Sequence, residues 1–161
     1  MSDPRGRMTT DSDGELLKLS GAIDETARLL ELIDRARGNK LVLDLAGITF
    51  INSLGVRDWI RLQQAAQQAN VRVELRRVAE PIIHQLNIVV ATRGNSIVSS
   101  FFAPYACDDC GREESMLIDV TVHGISLARQ QPPPMKCHEC GADMVFNDFP
   151  ELYFSFLSAE G

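Results

Sequence analysis

The 161-residue chain is poor in aromatics, with one Trp, two Tyr and seven Phe, and it has only four cysteines and three histidines. It holds no apolar run near the roughly 18 residues that span a bilayer, so a membrane role is not expected. Its first residues, Met1-Ser2-Asp3-Pro4-Arg5-Gly6-Arg7, are polar where a secretory leader is apolar, so a cytoplasmic location is expected. No Gly-rich phosphate loop, no Ser-His-Asp ordering and no paired-carboxylate motif appears. Basic residues are scarce as well, 16 Lys and Arg against 22 Asp and Glu, for a net charge of −6. That deficit is local. Residues 15–105 hold 11 basic against 9 acidic side chains, whereas residues 106–149 hold 3 against 8. A surface that grips phosphates needs the opposite sign, which argues against nucleic acid as a partner.

What is present is globular: 45% hydrophobic and 24% charged residues. Residues 1–14 lack periodicity and read as a disordered tail. A short strand at 15–19, closed by Ser20-Gly21, is followed by a helix that Asp24 would cap, with Ala27, Leu30, Ile33 and Arg37 on one side. Gly38-Asn39 ends that helix. Leu41-Val42-Leu43-Asp44-Leu45 reads as a central strand covered on both faces. A turn at 47–55 opens a second helix running to about Ala69, with Val56, Trp59, Ile60, Gln63 and Ala66 along it. Residues 71–75 alternate as a strand, and Glu80-Pro81 starts a shorter helix with Ile82, Ile83 and Leu86. The alternation of strand and helix predicts an α/β sheet with helices packed on it.

From Ile97 onward short β-like runs (97–102, 116–121, 144–146) surround two cysteine pairs, Cys107-Asp108-Asp109-Cys110-Gly111 and Cys137-His138-Glu139-Cys140-Gly141. Thiols persist reduced in a cytoplasmic protein, so these read as ligands before disulfides. Two thiolates three apart on a Gly-ended turn form half a tetrahedral site, because the Gly lets backbone N–H groups face the sulfurs. Two half-sites joined by a hairpin over residues 116–129, with Gly124 near its tip, make a four-cysteine zinc ribbon. Cys107, Cys110, Cys137 and Cys140 are thus the expected ligands of one structural Zn2+. Four thiolates leave no open position for catalysis, and His138 and His123 read as solvated. A β-rich module of this size has too little core of its own, and the metal replaces it. The final apolar run, 149–157, predicts a short helix packed on one of the two modules. The expected division is a tail at 1–14, an α/β domain at 15–102, a zinc ribbon at 103–149 and a C-terminal helix or tail at 150–161.

Leu19-Ser20-Gly21-Ala22-Ile23-Asp24, together with the run from Leu41 through Phe50-Ile51-Asn52-Ser53-Leu54-Gly55-Val56, resembles the STAS family, named for sulfate transporters and anti-sigma-factor antagonists. The resemblance spans roughly residues 15–102. It implies a small mixed sheet with helices on one face, and a regulatory, non-enzymatic role. The implied partner is a serine kinase/anti-sigma factor of the histidine-kinase-like ATPase type, or a related bacterial signalling protein. In the antagonists this loop reads Asp-Ser-Ser-Gly or Asp-Ser-Thr-Gly, and phosphorylation of the second hydroxyl releases the target.

Here Asn52 stands in the acid's place and Leu54 in the acceptor's, so the usual phospho-switch is expected to be missing. Ser53 is the remaining candidate phosphoacceptor, with Thr49 a weaker one. The plainer reading is that Asn52 or Ser53 simply caps the helix. Residues 52–55 are the expected partner-binding loop. In a second reading the ribbon is the working part, an adaptor contacting transcription machinery or nucleic acid. A third, an enzyme with a cysteine nucleophile, ranks below both. Trp59 reads as core, His84 has no catalytic companion, and Arg72, Arg76 and Arg77 read as a solvated strand edge. The sequence leaves the oligomeric state open.

Overall fold

A computed structural model describes residues 7–157. Among the described residues nine strands form two sheets, one mixed and one antiparallel, accompanied by four α-helices. The first has the order β1-β2-β3-β4-β5: β1 (Thr9–Asp13), β2 (Leu16–Ile23), β3 (Lys40–Ile51), β4 (Arg72–Arg76) and β5 (Ile97–Val98). β1 is antiparallel to β2, and the remaining pairs are parallel. The tail expected over 1–14 therefore contains an edge strand, since residues 9–13 pair with residues 16–20; residues 1–6 lie outside the described part. No helix among the described residues is long and apolar enough to cross a membrane.

β3 is twelve residues long, well beyond the expected 41–45, and β2 follows it through two register shifts. The shifts flank Ser20-Gly21, one between Lys18 and Ser20 and one between Gly21 and Ala22, and Gly21 takes φ 97°. β2 thus runs on through these residues instead of ending at them, and at each shift the extra residue lies on β3. Gly47 sits opposite: a Cβ there would lie 2.4 Å from the Ser20 Oγ, so only glycine lets the strands close up.

The connection from β2 to β3 differs from expectation too. Asp24 closes a local turn, its Oδ1 accepting from the Thr26 N–H at 2.8 Å and the Thr26 hydroxyl at 2.5 Å. The helix then starts later, at Leu29–Arg35, and is 3₁₀. Its rise of about 2.0 Å per residue covers more of the return path along the sheet than an α-helix of equal length. α1 (Ser53–Gln68) and α2 (Glu80–Ile88) match the expected helices.

Leu41, Leu43, Leu45 and Leu75 share one buried cluster with Trp59, Leu62, Ile82 and Leu86 from the helices. The opposite face is charged. Lys18, Asp44 and Arg76 stand in register across β2, β3 and β4. Glu74 accepts from Arg76 at 2.6 Å and pairs with Lys40 at 3.3 Å, while Arg77 reaches Asp44 at 3.2 Å. Val42 is buried on this face among long charged side chains, whose stems cover it while their heads stay wet. β4 lies inside the sheet, so Arg76 and Arg77 belong to this neutralised face and not to a strand edge.

The second sheet has the order β7-β6-β9-β8, from β6 (Ser100–Cys107), β7 (Glu113–Asp119), β8 (Met135–Lys136) and β9 (Asp143–Phe146). The chain passes between sheets at Ser99, whose N–H donates to Leu75 O at 3.0 Å and whose carbonyl accepts from Val120 N–H at 2.9 Å. The expected run 97–102 therefore divides between both sheets.

The hairpin expected over 116–129 is not formed. β7 ends at Asp119, which caps α3 (Val120–Ala128), its Oδ1 accepting from Thr121 N–H at 2.9 Å and Val122 N–H at 3.3 Å. Gly124 lies within α3, and His123 breaks its regularity at φ −109°, ψ 17°.

The C-terminal segment, α4 (Pro150–Tyr153) and a 3₁₀ turn at Ser155–Leu157, packs on both sheets' elements and not on one module. Tyr153 donates its hydroxyl to Phe102 O at 2.6 Å, and Asn87 of α2 donates to Tyr153 O at 2.9 Å and accepts from Phe156 N–H at 2.8 Å. Phe101 meets Phe156 edge-on at 5.0 Å, and Phe146 meets Phe154 at 5.1 Å. One buried cluster thus runs from Leu17 to Phe156 and includes Cys107 and Cys137.

Candidate functional site

The two Cys-x-x-Cys-Gly turns fold alike. Gly111 and Gly141 take φ 77° and 76°, and their N–H groups donate to Cys107 O and Cys137 O at 2.8 and 2.9 Å. Cys107 N–H and Cys137 N–H donate across the turns to Arg112 O and Ala142 O, both at 2.8 Å. Each turn is thereby fixed with its sulfurs on one side. β6 and β9, paired at Cys107 and Met144, bring the two turns face to face.

Cys107 Sγ lies 3.5 Å from Cys140 Sγ and Cys110 Sγ lies 3.6 Å from Cys137 Sγ, and all four sulfurs fall within 4.8 Å of one another. Four thiolates bound tetrahedrally at about 2.3 Å would sit roughly 3.8 Å apart, so the four sulfurs lie close enough together to hold a metal ion.

The electrostatics agree. Backbone N–H groups of Cys140 and Glu139 hold the Cys137 thiol down to about 7. The Ala142 N–H favours the Cys140 thiolate too, but the neighbouring Cys107 sulfur and burial outweigh it and push that thiol up to about 12. Four sulfurs this close cannot share several negative charges unless a cation is among them. Outside them, Glu114 is gripped by Arg112 at 2.9 Å and by His138 Nδ1 at 2.7 Å, and Arg112 reaches Glu139 at 3.7 Å. His138 is exposed and occupied by Glu114, outside the sulfur set. The spacing of the cysteines announced this cluster, whereas the Arg112-Glu114-His138 ring had no sequence pattern to reveal it.

The second expected site is the turn between β3 and α1. Asn52 is the helix cap: its Oδ1 accepts from Gly55 N–H at 2.8 Å and its Nδ2 donates to Glu25 at 3.4 Å. Gly55 is buried against β2, where a Cβ would lie 2.2 Å from Ile23 O. Ser53 is exposed, and its hydroxyl makes no hydrogen bond among the described residues. Leu54 is 39% exposed. Asn52 and Gly55 of the turn therefore face inward, and the Ser53 and Leu54 side chains face out. Trp59 is buried in the core, its Nε1 donating to Thr92 O at 2.8 Å, and exposed His84 lies edge-on to Tyr153 at 6.0 Å.

The structure gathers the four cysteines into one cluster and leaves residues 52–55 as a separate feature of the first sheet. No protein-family model, curated protein or solved structure matches the chain.

Proposed function

We propose that this chain is a non-catalytic regulatory interaction module, a STAS-like domain carrying a zinc-ribbon-like unit. The first sheet docks on a protein partner through residues 52–55 and the exposed side of α1. By the resemblance of its loop, that partner is a serine kinase/anti-sigma factor of the histidine-kinase-like ATPase type. The observation that carries the reading is the turn's geometry, in which Asn52 locks the backbone while Ser53 and Leu54 are turned outward. An exposed aliphatic side chain at a rigid helix start suits a protein contact. Leu54 has no hydroxyl, so binding is unswitched at that position. Ser53 at the helix N-terminus would stabilise a phosphate if a kinase supplied one.

The cysteine cluster holds one Zn2+ in a structural role. Soft thiolates in tetrahedral array favour zinc, and four of them leave no position for water or substrate.

The test is affinity capture from the native host with wild type, Ser53→Asp and Leu54→Asp as baits. An ATPase of the kinase type held by wild type and Ser53→Asp but lost with Leu54→Asp supports an unswitched binder. Loss with Ser53→Asp as well places a switch on Ser53. Recovery of RNA polymerase or nucleic acid, or no loss with either variant, overturns the reading.

A further inference from the structure

Two grooves meet beside the first turn of α2. One, of about 450 Å3, is walled by Ile48, Ala79, Pro81 and Phe102; the other, of about 230 Å3, is walled by Glu113, Glu114 and Tyr105. Glu80 and Ser115 line both, so the grooves form one trough with an apolar end and an acidic end. The Ser115 hydroxyl donates to Glu80 Oε2 at 2.5 Å and fixes that carboxylate at the junction. Glu114 is paired with Arg112 and hydrogen-bonded to His138, but neither Glu80 nor Glu113 has a cation within ion-pair distance among the described residues. Arg77, whose guanidinium lies 6.0 Å from the Phe102 ring centre, is held by Asp44.

We propose that this trough docks an extended segment of a partner protein in which an aliphatic side chain is followed directly by Lys or Arg. The aliphatic group would enter the Ile48–Phe102 end, where leaving water favours it. The cation would answer Glu80 and Glu113, the latter in the segment 106–149 where acids outnumber bases 8 to 3. Nucleic acid fails on sign, and a bare metal ion leaves the apolar end unexplained. The trough includes Thr49, three residues before Asn52 in the chain, and it requires neither a phospho-switch nor an ATPase.

The test is an NMR titration of the 15N-labelled, zinc-loaded full chain with the peptide acetyl-Gly-Ser-Leu-Lys-Arg-Ser-Gly-amide. Shifts are expected to concentrate at Thr49, Glu80, Phe102 and Ser115. Replacing the peptide's Leu by Ser, or its Lys-Arg by Glu-Glu, should weaken binding at least tenfold. Glu80→Gln with Glu113→Gln should weaken it at least fivefold, and Thr49→Trp, which plugs the apolar end from its rim, should do the same with the acids intact. Glu31→Gln should leave it unchanged. Absence of binding at millimolar peptide, equal binding of the Leu and Ser peptides, or shifts centred on Asp108, Asp109 and Asp143 would overturn the proposal. Because the titration uses no cellular partner, its outcome is independent of the capture experiment.

Discussion

The two sheets are held together in different ways. In the first, aliphatic residues recur at strand and helix spacing, and burial of Leu43, Leu45, Leu62 and Leu75 is complete. In the second, β8 and β9 span two and four residues, and four sulfurs converge where β6 ends and β9 begins. Short strands with few neighbours cannot offset the entropy of ordering themselves, so an added staple is needed. The aromatic tail then joins the two regimes, with Phe101 at its centre and fully buried. Local patterning suffices where the core is large, and distant residues must be clamped where it is small.

The largest effect should come from disrupting the cysteine cluster and removing the metal proposed to sit in it. Stripping with a strong chelator, or Cys137→Ser, should abolish amide protection in β8, β9 and both cysteine turns while β3 and α1 keep theirs. Structural zinc sites contribute on the order of 10 kcal/mol in isolated peptides at neutral pH, far more than one packing contact. Hydrogen exchange read by mass spectrometry checks this directly. Acid should mimic the chelator, because ligand thiolates must shed protons to bind metal. Simultaneous loss of protection in β3 would break the comparison, showing one cooperative unit and not two regimes.

Phe101→Ala should strike both regimes at once. Truncating a fully buried Phe costs about 3–5 kcal/mol. Here it also removes the ring against which Tyr153, Phe154 and Phe156 pack. Urea denaturation followed by Trp59 fluorescence for the first sheet, and by metal release for the second, should show both midpoints falling. A shift confined to one probe would place the tail on one module alone.

Much of this was legible in the sequence, for reasons that differ between regions. α1 announced itself through Val56, Trp59, Gln63 and Ala66, and α2 through Glu80-Pro81, because amphipathic spacing and helix-start chemistry are local. The cysteine cluster was legible because its chemistry fixes its spacing. What escaped was decided by distant partners. Gly21 and Gly47 read as turn residues until the close approach of β2 to β3 places Gly21 inside a continuous strand and Gly47 at a tight contact. Residues 9–13 look featureless because an edge strand need bury little. The hairpin at 116–129 failed on a missed local cue, since Asp119 followed by Thr121 is a helix start.

A smaller effect separates capping from signalling at the turn. Asn52→Ala removes the acceptor for Gly55 N–H and should cost about 1 kcal/mol. Ser53→Ala, which removes a hydroxyl with no partner inside the chain, should leave the melting temperature unchanged. Equal losses for the two would mean that Ser53 shares the cap, and the separation between an inward scaffold and outward side chains would fail.

The smallest effect lies on the charged face of the first sheet. The hydrogen bond from Arg76, with help from Lys40, holds the Glu74 carboxyl below its usual value of 4.5. A carboxyl depressed in the folded state stabilises it above the unfolded value, and that contribution fades as pH falls through the folded one. Glu74→Gln should therefore cost roughly 0.2–1 kcal/mol at pH 7, the range of partly exposed ion pairs. In urea titrations the two proteins should converge as the pH drops below 4.5. Convergence would show that this face is held by charge, as distinct from the aliphatic burial on the other side of the same strands. A gap that persists in acid would instead assign Glu74 to the packing over Val42, and the two faces of the first sheet would then be stabilised alike.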